Sequence, residues 1–220
     1  MKSGLLYPNR FARITLQAME EVIGSSGMRA IYNMANLPSL AVIELPDDME
    51  RQFDFADLSS LFATLTTLFG SQGARSLAIR AGRVTMQEGI RVFSDLSSKE
   101  SESTFGQSAD ELLLIRFNRF SNFLNSVSDQ ITSVYRLDSE DGFVFGIQQC
   151  PVCWGQSTHK PICAFYEGML EHAVKTFSND QSYSVIETQC KASGAESCLF
   201  VIQKTHESVS DPESTSQENI

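Results

Sequence analysis

The sequence predicts an α+β protein, with a helical N-terminal half packed against a C-terminal antiparallel β-β-α-β-β unit. Three observations carry that prediction. Up to about residue 130 the apolar residues recur every three or four positions, the period of an amphipathic helix. Beyond it the period drops to two around Asp141-Gly142, a strong hairpin signal. All five cysteines then fall in the 49 residues from Cys150 to Cys198, after 149 residues with none.

Taken in order, Asn9 reads as the N-cap of a first helix with apolar positions Phe11, Ile14, Ala18 and Val22, stopped at Gly24-Ser-Ser-Gly27. A short second helix is predicted over 28–36 and closed by Pro38. Leu58, Leu61, Phe62, Leu65, Leu68 and Phe69 form a wide apolar stripe. Gly70 and Gly73 punctuate it, and helix resumes over 74–93. Gly82 and Gly89 inside that helix each cost about 1 kcal/mol relative to Ala, so they mark a close helix contact or a bend. The polar, Ser/Glu-rich stretch 94–108 reads as a surface loop and divides a helical region, 1–108, from a second unit, 109–204. That unit opens with a helix over 110–130 carrying Leu113, Phe117, Phe120, Phe123, Leu124 and Val127 on one side. A hairpin about Asp141-Gly142, a helix over 161–177, and two strands, 183–189 and 198–203, around Gly194 complete it. Residues 205–220 carry four acids and no Lys or Arg and read as a disordered tail.

An apolar content of 42% supports a sizeable core. A net charge of −10 argues against a nucleic-acid surface. No apolar run reaches the roughly 20 residues of a membrane span, and the N-terminus lacks a secretory apolar core. A cytoplasmic protein is expected, with reduced thiols. Five cysteines, an odd number, also fit a disulfide framework poorly.

Metal binding or inert burial remain for the thiols. Cys150 and Cys153 form a C-x2-C pair, Cys163 opens an amphipathic segment, Glu187 precedes Cys190 by three residues, and Cys198 closes the set. Soft thiolates with one carboxylate, drawn from separate elements, suit tetrahedral zinc. Buried free thiols are the competing reading. A full donor set points to a structural ion rather than a catalytic one. No G-x-G-x-x-G follows a strand, and neither a P-loop nor a G-x-S-x-G is present. His159 and His172 read as solvated. Phe117, Phe120, Phe143, Phe145, Trp154 and Tyr166 are candidate walls of an apolar ligand pocket, against a plainer reading as core.

The run Pro161-Ile-Cys163-x3-Glu167-Gly168, then V-I-E-T-Q-C, then G-A-E-S-C-L-F-V-I resembles the 4-vinyl reductase domain over 143–203. The resemblance implies an α+β fold shared with small-molecule sensor domains. In phenol-responsive transcription activators that domain binds zinc through a Cys, a Glu and two further Cys. Carried over, these are Cys163, Glu187, Cys190 and Cys198, with Cys150 and Cys153 as competing ligands. The resemblance also implies a non-enzymatic protein binding a small hydrophobic ligand, a tetrapyrrole intermediate or an aromatic compound, as an accessory factor in chlorophyll metabolism. The alternative is an assembly factor for a photosynthetic complex, with a protein partner and a purely structural zinc; a vinyl reductase ranks last. A homodimer through the helical half is expected from the apolar stripe, Gly82 and the family likeness.

Overall fold

In the structure, a computed structural model describing residues 2–93, 108–137, 142–178 and 183–205, a short ribbon launches the first half. Strand β1 (Leu6–Pro8) pairs antiparallel with β2 (Arg51–Asp54). Helix α1 (Asn9–Ile23) leaves directly from the first and α3 (Phe55–Val92) from the second. Asn9 is not the cap expected of it. Pro8 occupies that position, and the Asn9 amide donates to Asp48 Oδ1 at 2.9 Å and Gln52 Oε1 at 3.1 Å. The side chain clamps the loop ahead of β2 instead.

Helix α2 (Ser25–Met34) starts earlier than predicted. Gly24, at φ +85°, makes the whole break between α1 and α2, so Ser25, Ser26 and Gly27 are free to be helical. A 3₁₀ turn follows at Pro38–Ala41. The cap that the periodicity did not reveal is Asp54. Its carboxylate accepts the Ala56 N–H at 2.8 Å, and also the Ser3 N–H and hydroxyl at 2.9 and 2.7 Å. One side chain therefore starts α3 and ties down the N-terminus.

Helix α3 breaks at Gly70, where φ is +67°. Leu58, Leu61, Phe62 and Leu65 of the stripe are buried, whereas Leu68 and Phe69, just before the break, are exposed. Helix α4 (Ala109–Val127) opens with a capping box between Ser108 and Glu111 and buries Leu113, Phe117, Phe120 and Leu124.

The C-terminal unit has the predicted β-β-α-β-β order. Strands β3 (Thr132–Arg136) and β4 (Gly142–Ile147), helix α5 (Ala164–Ser178), and strands β5 (Tyr183–Gln189) and β6 (Cys198–Lys204) give a four-stranded antiparallel sheet in the order β3-β4-β6-β5. Arg136 pairs with Phe143, so Gly142 opens the second strand of the hairpin rather than sitting at the centre of its turn. The intervening 138–141 lies outside the described residues, as do the loop 94–107 and the tail from 206 onward. Gly142 is required by its neighbour: a Cβ there would lie 2.5 Å from the Ile202 carbonyl oxygen on β6.

The two halves meet where α3 crosses α5, with backbone against backbone. A Cβ on Gly82 would lie 2.0 Å from the Phe165 carbonyl oxygen, and one on Gly168 would lie 2.0 Å from that of Ile79. Gly82 therefore serves an internal helix crossing, and with most of the Leu58–Phe69 stripe buried in the same core, little of the apolar face first assigned to a dimer remains outside.

Candidate metal centre and apolar cavity

The local structure around Cys190 explains the Glu-x2-Cys-x7-Cys spacing. In a regular strand, residues three apart face opposite sides. Strand β5 carries a bulge between Glu187 and Gln189 that leaves Thr188 and Gln189 both exposed. The extra residue puts Glu187 and Cys190 on one buried face. Beyond it the Cys190 carbonyl accepts the N–H groups of Ser193 and Ala195 at 3.0 and 3.2 Å and the Ser193 hydroxyl at 2.9 Å. Gly194, at φ +96°, completes the turn and returns the chain to Cys198.

Cys163 arrives from the start of α5, where its carbonyl accepts the Tyr166 N–H at 2.8 Å. Cys150 and Cys153 arrive from the turn after β4. All five thiols are buried. Sulfur–sulfur separations are 3.6 Å for Cys150–Cys163, 3.5 Å for Cys153–Cys198, 3.8 Å for both Cys163–Cys190 and Cys163–Cys198, and 3.9 Å for Cys190–Cys198. A tetrahedral ion with metal–sulfur bonds of about 2.3 Å sets its thiolates about 3.8 Å apart. The cluster already has that spacing.

Glu187 lies at the edge of the cluster. Its Oε2 accepts the Cys163 N–H at 2.7 Å, while Oε1 is buried without a hydrogen-bond partner. Burial first, and then the neighbouring Cys190, push its pKa up to about 9 when no cation is present. Hydrogen bonds from neighbouring thiols, Cys150 foremost, pull Cys198 down to about 5; Cys153 foremost pulls Cys190 down to about 6. Burial holds the Cys150 and Cys163 thiols up. Deprotonation is thus eased at two sulfurs that lie beside an orphaned carboxyl oxygen. A thiophilic divalent cation would satisfy both, so the donor set fits zinc.

Glu167, which sequence reasoning did not place, holds the Glu187 backbone and is itself held by Arg75. Glu167 Oε1 accepts the Glu187 N–H at 2.8 Å, and Glu167 Oε2 pairs with Arg75 Nη2 at 2.5 Å. The Cys163-x3-Glu167-Gly168 motif thereby divides its work along one face of α5. Cys163 enters the cluster, Glu167 fixes β5, and Gly168 admits α3. The i, i+4 spacing of Cys163 and Glu167 was the available signal.

The six aromatic candidates separate. Phe117 packs against Phe143 and Phe145, with ring centroids 5.0 and 6.2 Å apart. The Tyr166 hydroxyl accepts the Gln130 amide at 2.7 Å, and the Trp154 carbonyl accepts the Ser59 hydroxyl at 2.7 Å. Phe120 alone of the six lines an apolar cavity between α1, α3, α4 and α5, with Tyr7, Thr85, Met86, Gly89 and Met169 also on its wall. Phe11, Phe93 and Phe123, with centroids 5.1 to 5.7 Å apart, complete the wall as an aromatic trio. The cavity itself is small, about 30 Å³. Sequence periodicity marked Phe11, Phe120 and Phe123 as core-facing without showing that they meet around a void.

Comparison with known proteins agrees with this architecture. Residues 143–204 match the family model of the 4-vinyl reductase domain, the one that the cysteine motif resembled. No curated protein sequence matches the chain. Among solved structures, an H-NOX protein from S. oneidensis in the Fe(II)NO ligation state is 13% identical, with a TM-score of 0.56, over 88% of this chain and 99% of that one. A mutant H-NOX protein from K. algicida, Fe(II) and unliganded, is 14% identical, with a TM-score of 0.59, over 92% and 98%. A third structure, described for heme redox potential tuned by porphyrin distortion, is 10% identical, with a TM-score of 0.52, over 90% and 99%. At these identities the likeness establishes the fold.

Proposed function

Starting from the 4-vinyl reductase domain that residues 143–204 match, we propose that this protein is a non-enzymatic, zinc-stapled domain that binds a small apolar molecule between its helical half and α5. The observation that carries the metal part is the buried cluster with tetrahedral sulfur spacing around the orphaned Glu187 oxygen. The ion would be held by Cys163, Glu187, Cys190 and Cys198. It would supply cohesion, joining the start of α5 to the β5–β6 turn. Its set of donors is full and buried, which suits a structural role.

The cavity supports the ligand part and narrows its chemistry. Among the described residues lining it there is no His or Cys; Met86, Met169 and Tyr7 are the only side chains there that can ligate iron. An organic apolar ligand suits this wall better than a heme iron, whatever the H-NOX neighbours hold. The wall must open to admit even a single-ring aromatic compound, and much further to admit a tetrapyrrole. Titration with p-cresol, toluene and protoporphyrin, followed by calorimetry, tests this. Saturable cresol or toluene binding that Gly89→Leu abolishes by filling the cavity is expected. Binding of protoporphyrin alone would restore the tetrapyrrole and chlorophyll-metabolism reading, and binding of none would remove the ligand function.

The assembly-factor reading has one observation in its favour. Val42 and Ile43 are 82% and 61% exposed after the 3₁₀ turn, an apolar pair suited to a protein partner. The homodimer is retained as a proposal through Leu68 and Phe69 at the α3 break. Light scattering that returns the monomer mass of 24.4 kDa at micromolar concentration would remove it.

A further inference from the structure

The cluster offers six donors, two more than one tetrahedral ion takes. They fall into two overlapping sets of four: Cys150, Cys153, Cys163 and Cys198, and Cys163, Glu187, Cys190 and Cys198, each with its ligand atoms within 4.8 Å of one another. We infer that the site holds two divalent ions bridged by the thiolates of Cys163 and Cys198. Cys150 and Cys153 complete the first tetrahedron, and Glu187 and Cys190 the second. This rests on the zinc reading above and extends it.

The shared pair has the geometry a bridge needs. Cys163 lies 3.6 Å from Cys150 of the first set and 3.8 Å from Cys190 of the second. Cys198 lies 3.5 Å from Cys153 and 3.9 Å from Cys190. Cys163 and Cys198 are themselves 3.8 Å apart, the edge expected of a tetrahedron with bonds of about 2.3 Å, here common to both sets. A one-ion account that uses the second set leaves Cys150 and Cys153, each 2% exposed, buried beside the ion with nothing to bind.

Charge favours the pair of ions as well. Were all six donors to ligate, five thiolates and a carboxylate would bring six negative charges into a buried space. One divalent ion would leave four of them uncompensated, and two would leave two. Burying unpaired charge is costly, so either protons or a second cation must fill the difference. The bridging sulfurs carry the remaining help. The Lys191 N–H approaches Cys198 Sγ at 3.5 Å, and Cys163 sits where the positive end of α5 points.

The test uses the full chain, stripped of metal under reducing conditions and titrated with Zn(II) alone, then with Co(II) alone. Two equivalents of Zn(II) should bind, and at two equivalents of Co(II) the paramagnetic resonance signal should fall below that at one, because shared sulfurs couple the ions. Cys150→Ser with Cys153→Ser, and separately Glu187→Gln with Cys190→Ser, should each retain one equivalent. Neither the wild-type stoichiometry nor the coupling depends on the variants folding. Saturation at one equivalent overturns the second ion and leaves the single-zinc reading intact. Two equivalents with uncoupled cobalt overturns the bridge. Absence of any metal binding overturns both readings.

Discussion

The helical half and the C-terminal unit share one continuous core, yet its two ends are made of different materials. Around α1 and the first part of α3, the centre is Phe11, Met19, Met28, Ile31, Leu58 and Leu61, side chains that need only one another. Around the start of α5 the centre is five thiols and a carboxylate, which crowd one space and raise or lower each other's proton affinities. Apolar packing completes itself on folding. A buried donor cluster does not, and binding a cation there becomes part of the folding free energy. The two ends should therefore respond to different insults.

The widest gap between them is expected from Cys198→Ser, because Cys198 belongs to both donor sets. Metal should be lost and the fold destabilised by several kcal/mol, set against the roughly 10 kcal/mol of structural zinc in finger peptides. Chelator should lower the melting temperature of the wild type and leave that of the variant unmoved. A wild type indifferent to chelator would erase the distinction between the two ends.

Next comes the seam. Gly168→Ala places a Cβ 2.0 Å from the Ile79 carbonyl oxygen, and backbone cannot move aside as a side-chain tip can. We expect a loss of about 3 kcal/mol, at the upper end for overpacking, with zinc content unchanged. Metal lost along with stability in this variant would show that the crossing and the cluster are one cooperative device.

Asp54 sharpens the helical side of the comparison. Burial alone would raise its pKa, but hydrogen bonds from Ser3, Ala56 and Gly4 outweigh that and hold it below the usual carboxylate range. A lowered folded pKa means that the stabilisation is present above the unfolded value and is lost as pH falls through the folded one. Asp54→Ala should cost about 1 kcal/mol at neutral pH. Denaturant midpoints of wild type and variant should converge below the ordinary carboxylate range; a constant gap across that range would assign the effect to packing. The smallest change is Gly89→Ala, where a Cβ meets nothing within 4 Å. It should stabilise by up to about 1 kcal/mol through helix propensity, and a loss measured by chemical denaturation would mean that the cavity wall is tighter there than at any open helix position.

Much of this molecule is legible from local pattern. The 3.6-residue period located α1, α3, α4 and α5, and alternation located the β3–β4 hairpin, because each depends on one face of one element meeting the core. The Glu-x2-Cys-x7-Cys motif pointed to the buried thiol cluster for a similar reason, since a bulge and a tight turn are made within 12 residues, Glu187 to Cys198. Where local cues failed, a distant partner had claimed the side chain. Asn9 looked like a cap and serves the loop at Asp48; Asp54 caps α3 because the N-terminus folds over it.

By itself, then, the sequence determined most of the helices and the four strands of the main sheet, though not the β1–β2 ribbon, and which soft donor residues lie close along the chain. The tertiary structure alone decided that Cys150 and Cys153 reach the same cluster as Cys190 and Cys198, that Gly82 and Gly168 face each other's helices, and that Phe120 rather than Phe117 borders a void. Periodicity records which way a side chain points from its own backbone. Distances between sulfurs, or from a glycine to a foreign carbonyl, are set by how separate elements close on one another, and no single element carries that information.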